Sequence, residues 1–193
     1  MKQIETDILV VGAGPGGSTA ARFATRKGIR TLLIEKRQEI GSPVRCAEAI
    51  AKGWLKDCEI PLDPGWISCT PEGARIFAPD GCVATVSSGH IEDEVGLVVE
   101  RTLFDKALAK LAGEAGAEIM LKTFASDVIV SNGTVCGVVG KSMGEDIKIH
   151  APITIAADGF ESQVGRWAGL DTGLESCNIL HQGFFLCLFY YQS

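Results

Sequence analysis

The sequence lacks an excess of positive charge, a paired-cysteine motif and any apolar run long enough to cross a bilayer, and each absence removes a class of function. The chain carries 18 Lys and Arg against 24 Asp and Glu, a net charge of −6. With no basic stripe and no basic low-complexity tail, nucleic acid is not an expected partner. The cysteines, Cys46, Cys58, Cys69, Cys82, Cys136, Cys177 and Cys187, include no CxxC pair. An odd, dispersed set suits a reducing compartment better than a disulfide scaffold. Zinc and iron–sulphur sites usually bring two ligands within one turn, whereas Cys58, Cys69 and Cys82 are widely spaced and His90, His150 and His181 are scattered, so no metal is expected. His150 falls in an alternating Ile pattern and reads as an ordinary strand residue. The apolar run 184–191 is far short of the ~20 residues of a membrane-spanning helix. Residues 1–7 lead almost directly into a strand, leaving no room for a signal peptide, which sets the expectation of a cytoplasmic protein.

What is present is concentrated at the start. A chain of 193 residues, 46% hydrophobic, can bury the core of one domain, or of one domain and a fragment of another. The strand-like segment 7–11 flows into Gly12-Ala13-Gly14-Pro15-Gly16-Gly17 and a helix-like segment, and a second apolar strand over 30–34 ends at Glu35. This is the order of a dinucleotide-binding βαβ unit. Gly12 permits the tight turn, Gly14 lets the backbone approach a pyrophosphate, and Gly17 allows close helix packing. The helix N-terminus offers amides and partial positive charge to phosphates. Glu35 is placed to accept the hydroxyls of an adenosine ribose, and its charge would repel a 2′-phosphate, so FAD or NAD fits better than NADP.

Beyond Glu35 the Rossmann repeat is interrupted. Residues 36–45 form a polar excursion with turn residues, and 46–50 read as a short helix. Short strands are expected over 66–69, 74–77 and 82–86, an inserted small sheet, followed by an extended segment at 97–100. Apolar residues at helical spacing predict a helix over 102–115, ended by Gly116. A strand follows at 117–121, and Asn132-Gly133 predicts a hairpin between strands at 128–130 and 135–139. Strands at 147–150 and 153–156 then deliver Ala157-Asp158-Gly159 to the end of a sheet strand, where ligands of open α/β sheets bind. A short helix over 162–167 comes after it.

Four stretches together resemble the flavoproteins of the geranylgeranyl reductase family, and especially the archaeal digeranylgeranylglycerophospholipid reductases within it. They are Gly12-Ala13-Gly14-Pro15-Gly16-Gly17 with Glu35-Lys36; Pro43-Val44-Arg45-Cys46-Ala47-Glu48-Ala49; Glu100-Arg101-Thr102-Leu103-Phe104-Asp105; and Ala156-Ala157-Asp158-Gly159-Phe160-Glu161-Ser162. The first and last are shared with flavin monooxygenases, whereas the stretch around Cys46 is more specific to prenyl reductases. The likeness spans residues 4–177. Two positions depart from the family pattern: Gly16 stands where alanine is common, and Ala49 where glycine is common. The second adds a methyl group where the backbone runs near a flavin and where φ > 0 is anticipated.

The resemblance implies an α/β fold, a three-layer Rossmann-like FAD-binding domain with an inserted small β-sheet, over residues 1–177. Family members are about twice as long, so the chain reads as truncated before a complete substrate domain, with 178–193 an aberrant or truncated apolar tail and no independent activity expected. The implied cofactor is FAD, held by Gly12, Gly14, Gly16, Gly17, Glu35, Cys46, Ala47, Ala49, Arg101, Ala125, Asp158 and Gly159. Ala125, placed after a strand ending at Lys122, would offer backbone groups to adenine. Cys46 is the catalytic candidate, as proton donor or as lining beside the flavin, and Glu48 reads as a peripheral carboxylate. The implied reaction is reduction of geranylgeranyl double bonds on an ether-linked glycerophospholipid at the inner membrane face, with NAD(P)H or a ferredoxin-like protein as electron donor. The alternatives left open are another FAD-dependent oxidoreductase of the aromatic hydroxylase type and a catalytically inactive remnant.

Overall fold

The computed structural model describes residues 1–44, 46, 48–87, 96–159 and 162–172. In chain order these form β1 (Lys2–Glu5), β2 (Ile8–Val11), α1 (Pro15–Arg26), β3 (Thr31–Ile34), β4 (Ala49–Ala51), α2 (Lys52–Asp57), β5 (Ile67–Cys69), β6 (Gly73–Phe77), β7 (Val83–Ser87), β8 (Gly96–Val99), α3 (Arg101–Glu114), β9 (Glu118–Met120), β10 (Thr123–Ser131), β11 (Thr134–Ser142), β12 (Glu145–His150), β13 (Ile153–Ala156) and α4 (Gln163–Trp167). The run Lys52–Asp57 is helical and Ala49–Ala51 is extended. This corrects the expectation of a helix over 46–50: Ala49, Ile50 and Ala51 pair with Val98, Leu97 and Gly96 instead. Three residues are too few to show a period, and a strand partner far along the chain decides their conformation.

The centre is a parallel sheet in the order β13-β2-β3-β9. Every residue of β2 and β3 is buried, as expected for strands covered on both faces. Alternation sends Leu9, Val11, Leu32 and Ile34 to one side and Ile8, Val10 and Leu33 to the other. On the second side α1 and α3 pack, with Ala21 and Ala112 fully buried and small enough to let both helices approach. Pro15 at the first turn of α1 and Gly28 (φ +79°) just after its end punctuate that helix as its sequence requires.

The opposite face is covered by a second sheet, β1-β12-β11-β10, rather than by helices. Val138, Ile147, Ile149 and Ala151 of this layer join Leu9, Val11, Leu32 and Ile34 in one core. The β10–β11 hairpin turns at Asn132 (φ +51°) and Gly133 (φ +77°), both in the left-handed region that such turns use. The three layers are therefore helices, parallel sheet and mixed sheet. The insertion forms two small sheets, β4-β8-β5 and the β6–β7 hairpin. Trp66, Leu97 and Val99 anchor it on Phe104 and Leu108 of α3, with the Trp66 and Phe104 rings edge-to-face at 5.0 Å.

Candidate functional site

The site lies where β2, β3 and β13 end. Gly12 takes φ +103°, and a Cβ there would lie 2.3 Å from the Ala157 carbonyl oxygen. The Gly12 N–H donates to the Ile34 carbonyl at 2.8 Å, and the Ala157 N–H donates to the Val11 carbonyl at 2.9 Å. The glycine turn, the end of β3 and the turn after β13 are thus clamped into one block. A Cβ on Gly17 would meet the Gly12 oxygen at 1.8 Å, so the first turn of α1 can fold back on the glycine loop only with glycine there. A Cβ on Gly14 or Gly16 would meet nothing within 4 Å. These two glycines face open space at a helix N-terminus that has no side-chain cap and no acidic residue in its first turn. That arrangement suits phosphate oxygens.

Glu35 is tied down at both oxygens. One accepts the Ala13 N–H and the other the Arg37 N–H, each at 2.9 Å. A carboxylate oxygen has a second acceptor site, so a ribose diol can still be received. The buried Ser18 hydroxyl donates to the Ala13 carbonyl at 3.2 Å, completing the brace.

Asp158 faces α4. Its carboxylate accepts the Ser162 hydroxyl (2.7 Å), the Gln163 N–H (2.7 Å) and the Val164 N–H (3.1 Å), while Ser162 itself caps Gly165. Burial pushes the Asp158 carboxyl up, but these donors outweigh it and hold its pKa below the ordinary aspartate value. Gly159 follows with φ +98° and open space beyond it.

Two cavities adjoin at Gly14, Glu35 and Arg37. The first, of about 300 Å³, is lined by Gly12, Gly14, Glu35, Ala125, Asp158 and Gly159, together with Phe124, Gln163 and Trp167. The second, of about 160 Å³, extends past Gly14 to Pro43, Val44, Cys46, Arg101 and Asp105. Arg101 opens α3 and makes a two-point ion pair with Asp105, Nε to Oδ1 at 2.9 Å and Nη2 to Oδ2 at 3.0 Å. Burial disfavours the guanidinium charge, yet Asp105 and the adjacent Cys46 thiol raise its pKa above the ordinary arginine value. Gly41 (φ +79°) packs against Thr102, and an exposed Glu39–Lys106 pair helps to hold the polar excursion on α3.

The sequence-predicted residues are therefore distributed as follows. Gly12, Gly14, Glu35, Ala125, Asp158 and Gly159 meet at the first cavity, and Cys46 and Arg101 at the second. Gly16 is exposed at the helix start and Gly17 is buried beneath the turn. Ala125 lies inside β10, paired with Gly140, rather than following a strand that ends at Lys122. Ala49 is an exposed strand residue lining neither cavity, and the left-handed conformation expected there belongs to Glu48, at φ +66°. Ala47 lies outside the described residues, as do Arg45, Phe160 and Glu161. Sequence reasoning missed Phe124, Gln163, Trp167, Arg37 and Asp105. Only Asp105 carried a readable signal, its i,i+4 spacing from Arg101 on a helix.

A family model described as an NAD(P)-binding Rossmann-like domain matches residues 10–78. The digeranylgeranylglycerophospholipid reductase of Methanocella arvoryzae is 52% identical over 175 residues, 91% of this chain and 44% of that protein. Among solved structures, a geranylgeranyl bacteriochlorophyll reductase-like protein from Thermoplasma acidophilum superposes with a TM-score of 0.84 at 48% identity, covering 90% of this chain and 44% of that one. A myxobacterial FAD-dependent chondrochloren halogenase shares the fold at a TM-score of 0.68 and 22% identity, over 84% of this chain and 39% of its own. The chain thus spans less than half the length of these relatives. No helix among the described residues is long and apolar enough to cross a membrane. With identity near one half along nine-tenths of its length, the chain is strongly similar to the N-terminal part of the archaeal digeranylgeranylglycerophospholipid reductases.

Proposed function

We propose that residues 1–177 are the FAD-binding part of a flavoenzyme that reduces geranylgeranyl double bonds on ether-linked glycerophospholipids. The observation that carries the cofactor reading is the convergence of the Gly14–Gly16 opening, the braced Glu35 carboxylate and the Asp158–Gly159 turn on one cleft. The residues fit an adenine dinucleotide without a 2′-phosphate: amides and a helix N-terminus for the phosphates, and a carboxylate for the ribose. Bound FAD would supply the hydride equivalent that an unactivated alkene requires and that side chains alone cannot give.

In this reading Phe124 and Ala125 border the adenosine end, and Arg101 and Cys46 border the flavin end. Cys46 sits beside Arg101 in the second cavity, where its thiol serves as lining or as proton donor to the substrate face. The reading of the lipid as substrate is supported by the relatives' reductase activity, as their names state it, and by the Pro43–Ala49 stretch. NAD(P)H or a ferredoxin-like protein is the proposed electron donor, and peripheral contact with the inner membrane face follows from a lipid substrate. Glu35→Ala is expected to lower FAD retention severalfold, measured by flavin absorbance per protein after purification; unchanged retention would remove Glu35 from the site. With the chain extended to the full length of its relatives, product analysis with unsaturated archaeal ether lipid separates a prenyl reductase, which yields saturated chains, from a ring hydroxylase, which does not act on it.

A further inference from the structure

Among the described residues lining the second cavity, Asp105 is the buried carboxylate that the proposed cofactor reading leaves without a task. Its side chain is only 8% exposed, and that of Arg101, one turn earlier on α3, is 18% exposed. A guanidinium has five donors in a rigid fork. Two of them are committed to Asp105, through Nε and Nη2, which leaves the Nη1 side of the fork uncommitted to that carboxylate. The Cys46 thiol also interacts with this guanidinium, so the fork lies at the cavity wall between α3 and the loop that carries Cys46.

A single acceptor would leave the Arg101 side chain free to swing about its long stem. A bidentate carboxylate fixes the plane of the fork as well as its place. We infer that Asp105 is a positioning residue: it holds the Arg101 guanidinium at the wall of the second cavity so that its free donors meet the flavin-side half of the dinucleotide. This inference rests on the proposed FAD site, and it assigns Asp105 a role toward ligand rather than toward stability alone. It also separates two electrostatic expectations. If only net charge mattered, neutralising Asp105 would strengthen binding of an anionic dinucleotide by unmasking Arg101. If positioning matters, the same change weakens it.

The experiment uses the 193-residue chain, with FAD and ADP titrated separately by fluorescence and calorimetry, and Asp105→Asn compared with wild type at fixed ionic strength. ADP carries the adenosine and phosphates but no flavin, so it reports on the first cavity. Loss of one well-placed charge-assisted contact predicts about a tenfold rise in the Kd for FAD, with the Kd for ADP kept within about twofold. Arg101→Lys should weaken FAD to a similar degree, and adding Asp105→Asn to it should change little further, because the fork is already gone. Asp105→Glu, which keeps charge and fold but displaces the fork, should give an intermediate loss. It decides the matter if Asp105→Asn does not fold. Unchanged or tighter FAD binding in Asp105→Asn or Asp105→Glu overturns the inference, and so does an equal loss for FAD and ADP, which marks general loosening of the site. Failure of the wild-type chain to bind either ligand overturns the cofactor reading itself.

Discussion

The turns that end β2, β3 and β13 and the inserted strands between β4 and β8 are built on opposite terms. In the first region Leu9, Val10 and Leu33 are completely buried, and the glycine turn is hydrogen-bonded to both neighbouring strand ends. In the second, strands of three residues depend on Trp66, Leu97 and Val99 reaching α3, and the β6–β7 hairpin leaves Phe77 69% and Val83 50% exposed. The difference teaches where precision is needed. The end of the cleft proposed for adenosine is held by backbone hydrogen bonds between the glycine turn and the neighbouring strand ends. The end proposed for the flavin is assembled at a seam, from Arg101 on a helix and Cys46 on a loop, where the Arg101–Asp105 ion pair, rather than a strand end, holds the wall.

The largest effects should therefore come from the central sheet. Leu33→Ala removes a fully buried β3 side chain between the parallel sheet and the helices and should cost about 3–5 kcal/mol in urea unfolding followed by circular dichroism. Phe77→Ser, an equally drastic change in composition, should fall within about 0.5 kcal/mol because its ring is mostly in water. Comparable losses at the two positions would break the contrast between the regions.

A smaller and more local test lies within the glycine turn. Gly17→Ala places a Cβ 1.8 Å from the Gly12 oxygen, so backbone must move, at a cost of about 1–3 kcal/mol and with loss of FAD retention. Gly16→Ala, one residue earlier, adds a methyl group into open space at an exposed helical position. It should leave stability unchanged or raise it by up to about 1 kcal/mol, since alanine favours helix over glycine. The pair is measured by thermal unfolding and by flavin content. A Gly17→Ala variant as stable and as rich in flavin as Gly16→Ala would mean that the turn tolerates movement and that the clash at Gly17 is relieved cheaply.

Much of this was legible because local chemistry and tertiary structure agree. The run from Asp7 to Glu35 states strand, turn, helix, strand and acid in order, and the structure places Gly12, Gly14 and Glu35 at one cleft. The Asn132–Gly133 turn and the helix over Arg101–Glu114 announce themselves by turn chemistry and by period. What was hidden depends on distant partners. β1 is four largely exposed residues whose strand state comes from parallel pairing with β12 at the other end of the described chain. Ala49–Ala51 is a strand only because Gly96–Val98 lies beside it, and the early start of β10 at Thr123 comes from pairing with Ser142. The hairpin and the strand at Glu145–His150 carry local signals, but nothing local says that they join β1 in a sheet that covers the parallel sheet in place of an outer helical layer. In the site, Phe124 and Trp167 are ordinary apolar residues until the fold brings β10 and α4 to the cleft.

The finest test of the clamped region is the turn after β13. Asp158 binds the Ser162 hydroxyl and the first amides of α4, a helix too short to stand without such a cap. Removing it by Asp158→Ala should cost about 1 kcal/mol near neutral pH, the usual worth of a helix-capping side chain. The sign of the pH dependence follows from the carboxylate. Because its pKa in the folded chain lies below the ordinary value, the unfolded chain takes up the proton first as pH falls. The stabilisation is therefore complete above the unfolded pKa of about 4 and disappears as pH drops through the lower folded value. Wild type and Asp158→Ala should thus show a constant stability gap from neutral pH down to about 5 that closes below about 4. FAD retention in the variant should fall with the cap, since α4 carries Gln163, Val164 and Trp167 to the cleft wall. A gap that persists unchanged into acid would assign the effect to packing around Ala157 rather than to the ionised cap, and full FAD retention would detach this turn from the cofactor.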